Sequence, residues 1–465
     1  MISMKIQLFN TLGREKQEFK PIKKGQVNLY SCGPTVYWYA HIGNFRSYLF
    51  ADVLKRVLQY NGLKVKHVMN ITDVGHLTSD GDEGEDKMIK ALRREGKELT
   101  VEGVKQISKI YESAFLVDMK LLNILKPDKL PHASDYVKEM VESVKKIEKN
   151  GLAYKTKVGV VFDTGKFPNY SELGKLNLKQ QKEGASGKKD SERKNASDFA
   201  LWITNQPKHI MMWDSPWGRG FPGWHLECSV LSNKFLKGID IHTGGVDHIT
   251  VHHSNEIAQN WGATGKKCVN YWMHNDFLLQ DKGKMAKSGG SILTIQALID
   301  KGYNPLVYRY FSLSAHYRSQ QNFSWDNLDG AKNAYERLKN LVLGLKSRKD
   351  SKGDTEEFKK RFLQKINDDL NMPEALALMW DVLRSTDLGS KQKLSLVLQF
   401  DKVFGLGLKD LKKEKVPKEI LELVKQREQA REKKDFKTSD KIRDELNKKG
   451  WTIHDSKDGA KVQKK

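Results

Sequence analysis

The pattern of apolar and polar positions near the start of the chain predicts a strand–helix–strand order. The segment QVNLYS, residues 26–31, is typical of a buried strand. Apolar residues then recur at helical spacing until Gly62: Leu49, Val53, Leu54, Val57 and Leu58. KVKHVMNIT, residues 64–72, predicts the next strand. This order indicates a parallel α/β unit, in which binding sites lie at the carboxyl ends of strands.

The rest of the chain changes character several times. Residues 101–150 have a helical pattern, whereas residues 180–197 are polar and charged and predict a flexible loop within an insertion. Apolar segments rich in β-formers return at residues 240–243 and 271–279, which indicates that the sheet resumes there. From about residue 330 onward the periodicity is helical, and it ends in a lysine-rich helical stretch over the last fifty residues.

Composition and charge narrow the class of protein. A chain of 465 residues is long enough for three or four domains. We find no stretch of about 20 apolar residues that would span a membrane and no signal-peptide pattern, so we expect a cytoplasmic protein. The formal net charge of +23 favours a polyanionic partner such as a nucleic acid, because lysine and arginine release counterions from phosphate backbones. A generally lysine-rich composition is the alternative explanation.

The three cysteines, Cys32, Cys228 and Cys268, are sparse and form no CxxC pair. An odd, scattered set argues against a disulfide framework and suits a reducing compartment. Any metal site that uses these thiols must therefore be assembled from distant segments.

Two short motifs point to phosphate chemistry. HIGN, residues 41–44, follows the first predicted strand and opens the helix, where backbone N–H groups and the positive helix end attract phosphate. Gly43 permits close approach, and His41 can donate to a phosphoryl oxygen, although a histidine at a strand end is often structural. KMAKSGG, residues 284–290, carries Lys284 and Lys287 in a glycine-rich segment. It suits a loop over polyphosphate, or alternatively a solvated lysine loop.

Together these motifs resemble the paired signature of class I aminoacyl-tRNA synthetases. Longer segments resemble the cysteinyl-tRNA synthetase family in order and spacing over nearly all of the chain. They include YSCGPTVYWYAHIGN, NITDVGHLTSDGDEGEDKM, WDSPWGRGFPGWHLECSVL, DIHTGGVDHITVHHSNEIAQ and HNDFLLQDKGKMAKSGGSILTI. HIGN stands where the family usually has HIGH, and KMAKS stands where it has KMSKS. The resemblance implies an enzyme that activates cysteine with Mg²⁺-ATP and transfers it to tRNA(Cys).

The resemblance also implies one zinc ion in the amino-acid pocket. The matching ligands are Cys32, Cys228, His252 and Glu256. His252 and Glu256 are four apart, so a helix would put both on one face, whereas His253 would pair with Ile257. Thiolate, imidazole and carboxylate groups suit zinc. The alternative for the two cysteines is that they are small buried apolar side chains.

A bound metal would explain how the site discriminates cysteine from serine. An apolar pocket separates such similar side chains by only about 10–200-fold. Zinc deprotonates and binds a thiol, whereas a hydroxyl is a much poorer ligand near neutral pH.

The remaining expected site residues also come from the resemblance. His41 and Asn44 would contact phosphates, and Lys284 and Lys287 would close over the triphosphate. Further matches are expected to receive the nucleotide: Gly43, Gly244, Gly245 and Asp247. Those expected to line the cysteine pocket are Gly33, Thr72 and Trp224, with His225 nearby. For Trp224, plain core packing is the alternative.

The predicted fold is a Rossmann-like parallel-sheet catalytic domain with an inserted connective subdomain, followed by an α-helical bundle and a small C-terminal anticodon-binding domain. The expected boundaries are 1–117 and 206–275 for the two catalytic halves, 118–205 for the insertion, 276–329 for the KMSKS-type loop and stem-contact region, 330–408 for the bundle and 409–465 for the anticodon domain. In the last domain, exposed aromatics such as Trp451 would stack on bases. A monomer is expected.

Two other functions fit parts of this pattern. A cysteine ligase of the mycothiol pathway shares the catalytic half, but it joins cysteine to a sugar amine and lacks the anticodon-reading part. A non-catalytic protein that binds zinc and RNA would keep the basic surface without needing the phosphate motifs. The basic C-terminal third argues against the first function, and the presence of His41 and both signature lysines argues against the second.

Overall fold

The computed structural model describes residues 4–75, 77, 86–175, 192–206, 208–280, 283–284, 292–412, 416–456 and 459–464. The chain forms two compact units, Met1–Lys409 and Asp410–Lys465. Lys287 and most of the predicted 180–197 loop lie outside the described residues. No helix in the described ranges has both the length and the apolar character required to cross a bilayer.

The first unit contains both helices and strands. Its helices are α1 (Ile42–Tyr60), α2 (Lys87–Arg94), α3 (Val101–Leu121), α4 (Val137–Lys149), α5 (Leu226–Phe235), α6 (His252–Thr264), α7 (Ile295–Asp300), α8 (Pro305–Leu313), α9 (Trp325–Lys346), α10 (Glu356–Asn367), α11 (Met372–Arg384) and α12 (Ser390–Phe404). Its strands are β1 (Gln7–Asn10), β2 (Glu15–Glu18), β3 (Gln26–Ser31), β4 (Lys64–Met69), β5 (Ala153–Thr156), β6 (Gly159–Phe162), β7 (Phe199–Ile203), β8 (Phe221–Pro222), β9 (Ile239–Gly245), β10 (Val269–Asn275), β11 (Leu278–Gln280), β12 (Gly283–Lys284) and β13 (Gln321–Phe323).

The central sheet has the strand order β10-β9-β3-β4, and all of its neighbouring strands are parallel. The register places Tyr30 of β3 opposite Val68 of β4 and His242 of β9. The predicted parallel α/β fold is therefore confirmed, and β3 has the predicted bounds. The second predicted strand is shorter than expected, because β4 ends at Met69 and the segment after it turns toward the site.

A second sheet belongs to the region between the two halves of the central sheet. Strands β5, β6, β7 and β8 follow one another in this sheet, and each neighbouring pair is antiparallel. Ile107 of α3 and Met140 of α4 share a buried core with Phe162 and Trp202 of the sheet. Helices therefore cover one face of this sheet, as an antiparallel sheet with an apolar face requires.

Buried charges hold α1 in place. Asp52 of α1 accepts hydrogen bonds from Arg56 (Nε–Oδ2 2.8 Å) and from Arg309 of α8 (Nη2–Oδ2 2.5 Å). The fully buried Arg309 also donates to the carbonyl oxygens of Phe404 and Leu122. Burial would raise the pKa of Asp52, but the charges of Arg309 and Arg56 hold it below its ordinary value. Such a cluster is stable only while every charge keeps its partners.

Gly405 is required by this arrangement. It ends α12 in the left-handed region, with φ of 65°. A Cβ atom there would lie 2.6 Å from Nη2 of Arg309. The glycine thus permits both the turn and the close packing of the buried guanidinium group.

The second unit combines two helices and a hairpin. Its elements are α13 (Lys418–Glu432), α14 (Phe436–Lys448), β14 (Trp451–Ser456) and β15 (Gly459–Lys464), and the two strands pair antiparallel. The predicted helical stretch is confirmed, but the sequence pattern did not predict the hairpin. Trp451 is only 7% exposed and packs with Ile420 and Leu446, so the prediction that it is an exposed stacking aromatic is wrong.

We predict that Asp52→Asn lowers the free energy of unfolding by about 3–5 kcal/mol, because it leaves two arginines without their buried counter-charge. Urea unfolding of the full chain measures this change. The pKa of Asp52 is lowered in the folded state, so the advantage of the wild type is complete above the ordinary aspartate pKa. This advantage is lost as the pH falls through the folded value.

The matched control is Asp368→Asn. Asp368 pairs with Lys16 at 2.6 Å, but both side chains are about half exposed, so the change should cost at most about 1 kcal/mol. Equal losses in the two variants would show that the buried cluster does not stabilise the unit.

Candidate active site and metal centre

A cavity of about 450 Å³ opens at the carboxyl ends of the central strands. Its wall is formed by the segments after β3, β4 and β9 and by the first turns of α1 and α6. The structure brings most of the expected site residues to this one wall: Cys32, Gly33, His41, Gly43, Asn44, Thr72, Trp224, Cys228, Gly244, Gly245, Asp247 and His252.

The HIGN turn caps α1 by a reciprocal pair of hydrogen bonds. His41 is the N-cap residue, and its Nδ1 accepts from the backbone N–H of Asn44 at 3.1 Å. The side-chain oxygen of Asn44 accepts from the backbone N–H of His41, also at 3.1 Å. Because Nδ1 is an acceptor, the neutral imidazole carries its proton on Nε2 and donates from there. Asn44 thus gives the turn its rigidity, and the helix end provides the positive potential.

Four expected ligands come together beside this turn. Cys32 follows β3, Cys228 lies on α5, and His252 and Glu256 lie one turn apart on α6. Their ligand atoms all lie within 4.8 Å of one another. Oε1 of the fully buried Glu256 lies 3.2 Å from Nε2 of His252 but has no hydrogen-bond partner among the described residues. Thiol, imidazole and carboxylate atoms that converge this closely in a buried place fit a metal ion.

A second group of possible ligands overlaps the first. Cys32 and Glu256 also lie within 4.8 Å of His242 and His253. In this group Nε2 of His253 is 3.3 Å from the sulfur of Cys32, and Nδ1 of His253 is 2.7 Å from Nε2 of His274. Neither His242 nor His253 is among the residues that line the cavity. The helical spacing that favoured His252 over His253 did not anticipate that both histidines would face the same thiol.

Other histidines orient the ligands of the first group. Nδ1 of His225 lies 2.8 Å from Nδ1 of His252, and Nε2 of His242 lies 2.9 Å from Oε2 of Glu256. Groups that hold a ligand from behind in this way fix its tautomer and orientation. His225 therefore lies behind His252 and not on the cavity wall where a substrate contact was expected.

Electrostatic coupling within the cluster favours a thiolate at Cys32 beside a charged imidazole at His252. Burial would raise the pKa of Cys32, but a hydrogen bond with Cys228 and the charges of nearby histidines lower it well below its ordinary value. Burial and the neighbouring Cys32 raise the pKa of Cys228. Burial would lower the pKa of His252, but attraction to Cys32 and bonds to Cys32 and Glu256 raise it to about 10. An anionic thiolate is thus already favoured here without a metal.

The backbone of the segment after β4 lies so close to position 33 that only glycine fits there. A Cβ at Gly33 would lie 1.6 Å from the backbone oxygen of Asn70. The N–H of Gly33 donates to Oδ1 of Asn70 at 2.9 Å. Trp224 lies opposite, half-buried, with its ring centroid 4.5 Å from that of His252. Because Trp224 lines the cavity, it does more than fill the core.

Glu227 was missed by the sequence analysis. It is 3% exposed, lines the cavity, and accepts hydrogen bonds from Thr72 (2.5 Å) and Asn70 (3.2 Å). Burial raises the pKa of Glu227 to about 8. The only signal in the sequence was its position directly before Cys228, which is not informative by itself.

The lysine motif is described only in part. Lys284 ends β12, where its backbone pairs with Leu279 of β11. Lys287 lies outside the described residues. The expected contacts of both lysines with a triphosphate therefore stay predictions.

Comparisons with known proteins agree with this architecture. Residues 18–333 match the family model for the catalytic domain of class I (C) tRNA synthetases, and residues 413–462 match that for the cysteinyl-tRNA ligase anticodon binding domain. A cysteine–tRNA ligase of Treponema denticola is 42% identical, over 97% of this chain and 98% of that protein. Cysteine–tRNA ligase 1 of Burkholderia lata is 44% identical, over 99% of this chain and 97% of that protein.

Among solved structures, the fold is similar to that of Mycobacterium tuberculosis methionyl-tRNA synthetase bound by methionyl-adenylate, with a TM-score of 0.55. The two proteins are 13% identical, and the match covers 83% of this chain and 90% of that one, so the likeness concerns the fold alone. The family models and the near-complete coverage by relatives carry the assignment: the chain belongs to the cysteine–tRNA ligase family of class I aminoacyl-tRNA synthetases.

Proposed function

We propose that the protein is a cysteine–tRNA ligase that forms cysteinyl-adenylate and pyrophosphate from cysteine and ATP, and then transfers cysteine to the 3′ end of tRNA(Cys). One observation carries the proposal. Three members of a convergent group of thiol, imidazole and carboxylate side chains, Cys32, Cys228 and His252, line the same cavity as the phosphate-attracting HIGN turn. A sulfur-recognising site and a nucleotide site side by side suit the activation of cysteine.

The resident metal in this proposal is zinc, held by Cys32, Cys228, His252 and Glu256. Three of these ligands line the cavity, whereas the alternative histidines, His242 and His253, do not. Only a metal on the cavity wall can meet a substrate, so we favour the first group. When bound there, zinc would take the thiolate of cysteine as a further ligand, a bond that a serine hydroxyl makes poorly.

The first step requires no protein nucleophile, and catalysis would come from positioning cysteine and ATP. A carboxylate oxygen of cysteine attacks the α-phosphorus of Mg²⁺-ATP, the bond to the bridging oxygen breaks, and pyrophosphate leaves. His41, Asn44 and the helix end would stabilise the growing negative charge, with Gly43 allowing close approach. Lys284 and Lys287 would neutralise the leaving pyrophosphate. The backbone of Gly244 and Gly245 and the carboxylate of Asp247 would receive the adenosine.

The second step moves the cysteinyl group to RNA. The 2′-hydroxyl of the terminal adenosine attacks the carbonyl carbon of the adenylate, and AMP leaves. The second unit supplies RNA binding in this proposal, because residues 413–462 match an anticodon binding domain. That match favours tRNA over the aminosugar of the mycothiol pathway. We expect a cytoplasmic monomer.

We predict ATP–pyrophosphate exchange that depends on cysteine, with serine about 10⁴-fold poorer in kcat/KM, because sulfur is what the site recognises. Lys284→Ala should reduce the exchange rate by about 10²–10³-fold, as expected on loss of one charged contact to the transition state. Its cysteine affinity, measured by calorimetry, should stay unchanged. Binding of tRNA without any exchange would support the non-catalytic alternative, and amide formation on an aminosugar without tRNA charging would support the other.

We predict that Cys228→Ser loses the metal, because a hydroxyl replaces a thiolate ligand. Atomic absorption of the purified protein should give about one zinc per chain for the wild type and well below one for the variant. The matched control is Cys268→Ser, since Cys268 is half-buried, belongs to neither ligand group and should retain the zinc.

A further pair of variants separates the two ligand groups. His252→Gln should lose zinc and His253→Gln should keep it, because only His252 belongs to the group on the cavity wall. The reverse result would move the metal to the second group. A wild-type enzyme that is active without bound zinc would refute the proposed role of the metal.

A further inference from the structure

One carboxylate oxygen of Glu227 accepts two hydrogen bonds, and the other has no partner among the described residues. It lies in the first turn of α5, directly before Cys228. Its Oε1 accepts from Oγ1 of Thr72 at 2.5 Å and from Nδ2 of Asn70 at 3.2 Å. Its Oε2 is buried and has no hydrogen-bond partner in the described part of the chain. The side chain is therefore fixed through Oε1, whereas Oε2 is left without a donor among the described residues.

A buried carboxylate oxygen without a donor is costly, so its persistence indicates a partner that is absent from the protein itself. No ion pair of Glu227 is found among the described residues, although the charge of His252 acts on its carboxyl group from a distance. Glu227 lines the cavity in which the proposed substrates would lie. The missing partner is thus a donor, and most favourably a cationic one, that enters with a ligand.

Asn70 connects this carboxylate to the metal group. Its Oδ1 lies 3.7 Å from the sulfur of Cys228, and its Nδ2 lies 3.2 Å from Oε1 of Glu227. One amide group therefore spans the gap between a proposed zinc ligand and the carboxylate. The thiol sulfur and the amino nitrogen of cysteine are likewise separated by only three bonds. A cysteine with its sulfur at the metal group can thus bring its amino group to Glu227.

The other carboxylates on the cavity wall suit this role less well. Asp247 and Asp276 also line the cavity, and the proposed function assigns Asp247 to the adenosine. Asp276 accepts from the backbone N–H of Phe277 at 2.7 Å. Glu227 is the one among these three that shares a hydrogen-bonded residue, Asn70, with a ligand of the metal group.

We infer that Glu227 binds the α-ammonium group of the substrate cysteine through Oε2, while Thr72 and Asn70 hold Oε1. This inference rests on the proposed function. With sulfur and nitrogen both held, the carboxylate of cysteine is the end that remains to face the α-phosphorus of ATP. Glu227 would thus select for a free amino group as the metal selects for sulfur, and it would orient the attacking carboxylate.

The test is Glu227→Gln, which keeps the shape but cannot take up the negative charge that would pair with an ammonium group. The zinc-loaded wild type and the variant are titrated by calorimetry with cysteine, with cysteamine, which lacks the carboxylate, and with 3-mercaptopropionate, which lacks the amine. The variant should bind cysteine and cysteamine about 10–100-fold more weakly, the scale of one charge-assisted hydrogen bond. It should bind 3-mercaptopropionate about as well as the wild type, because that ligand brings no cation.

The matched control is Asp73→Asn. Asp73 is another buried carboxylate next to Thr72, but both of its oxygens are satisfied by Ser134, at 2.9 Å from the N–H and 2.6 Å from the hydroxyl. It should leave the ratio of cysteine to 3-mercaptopropionate affinity unchanged. Glu227→Asp, which keeps a charge, should retain part of the preference for amines, and it serves if the glutamine variant does not fold.

Two results would overturn the inference. Equal weakening of all three ligands in Glu227→Gln would indicate a purely structural role, and unchanged affinities would mean that the amino group binds elsewhere. Zinc content and ATP affinity should match the wild type, which a collapsed site would not allow. The proposed function fails separately, if the wild type binds cysteine with this preference for amines but catalyses no pyrophosphate exchange.

Discussion

Parallel pairing of β3 with both β4 and β9 is the constraint on which the site depends. Parallel strands all end at one edge of the sheet, so the residues that follow them must meet there. Cys32, Asn70 and Gly244 are far apart in sequence but lie at this edge for that reason. The first turn of α1 begins at the same edge and brings the positive end of the helix dipole with it. The topology thus places the HIGN turn and the group of expected ligands at the same edge of the sheet.

The dense cluster of histidines and thiols shows how hydrogen bonds and aromatic contacts offset the free-energy cost of burying polar groups. His242 and His225 each use a ring nitrogen to hold a proposed ligand, so these ligands need not reorganise to meet a cation. Trp272 and Trp224 cover His242 and His252 with aromatic faces, which keeps the group out of bulk water. Oε1 of Glu256 points among these groups, with Nε2 of His252 at 3.2 Å and Nε2 of His253 at 3.8 Å. The side chains are thus arranged as a group that could hold a metal ion.

Sequence patterns foresaw the elements whose burial is periodic and missed those decided by long-range packing. The strand at residues 26–31 and helix α1 follow directly from apolar spacing. Cys32 and Cys228 lie far apart in the sequence, and only the folded sheet brings them together. No local spacing could therefore pair them as ligands, and the resemblance to a family did. Glu227 and the second histidine group could not be found in this way, because their significance lies in contacts across the fold. Trp451 was misjudged since an aromatic residue beside lysines looks exposed until the hairpin buries it.

The hydrogen bonds of Arg309 restrict how neighbouring segments can move, in addition to stabilising the fold. One guanidinium group joins the middle of α1, the turn after α12 and the segment that follows α3. None of these segments can shift relative to the others without stripping a charged donor of its acceptors in a dry interior. Helix α12, which ends at Phe404, and helix α1, which begins at the HIGN turn, are therefore joined through this one side chain. A displacement of α12 would therefore either carry α1 with it or separate Arg309 from Asp52.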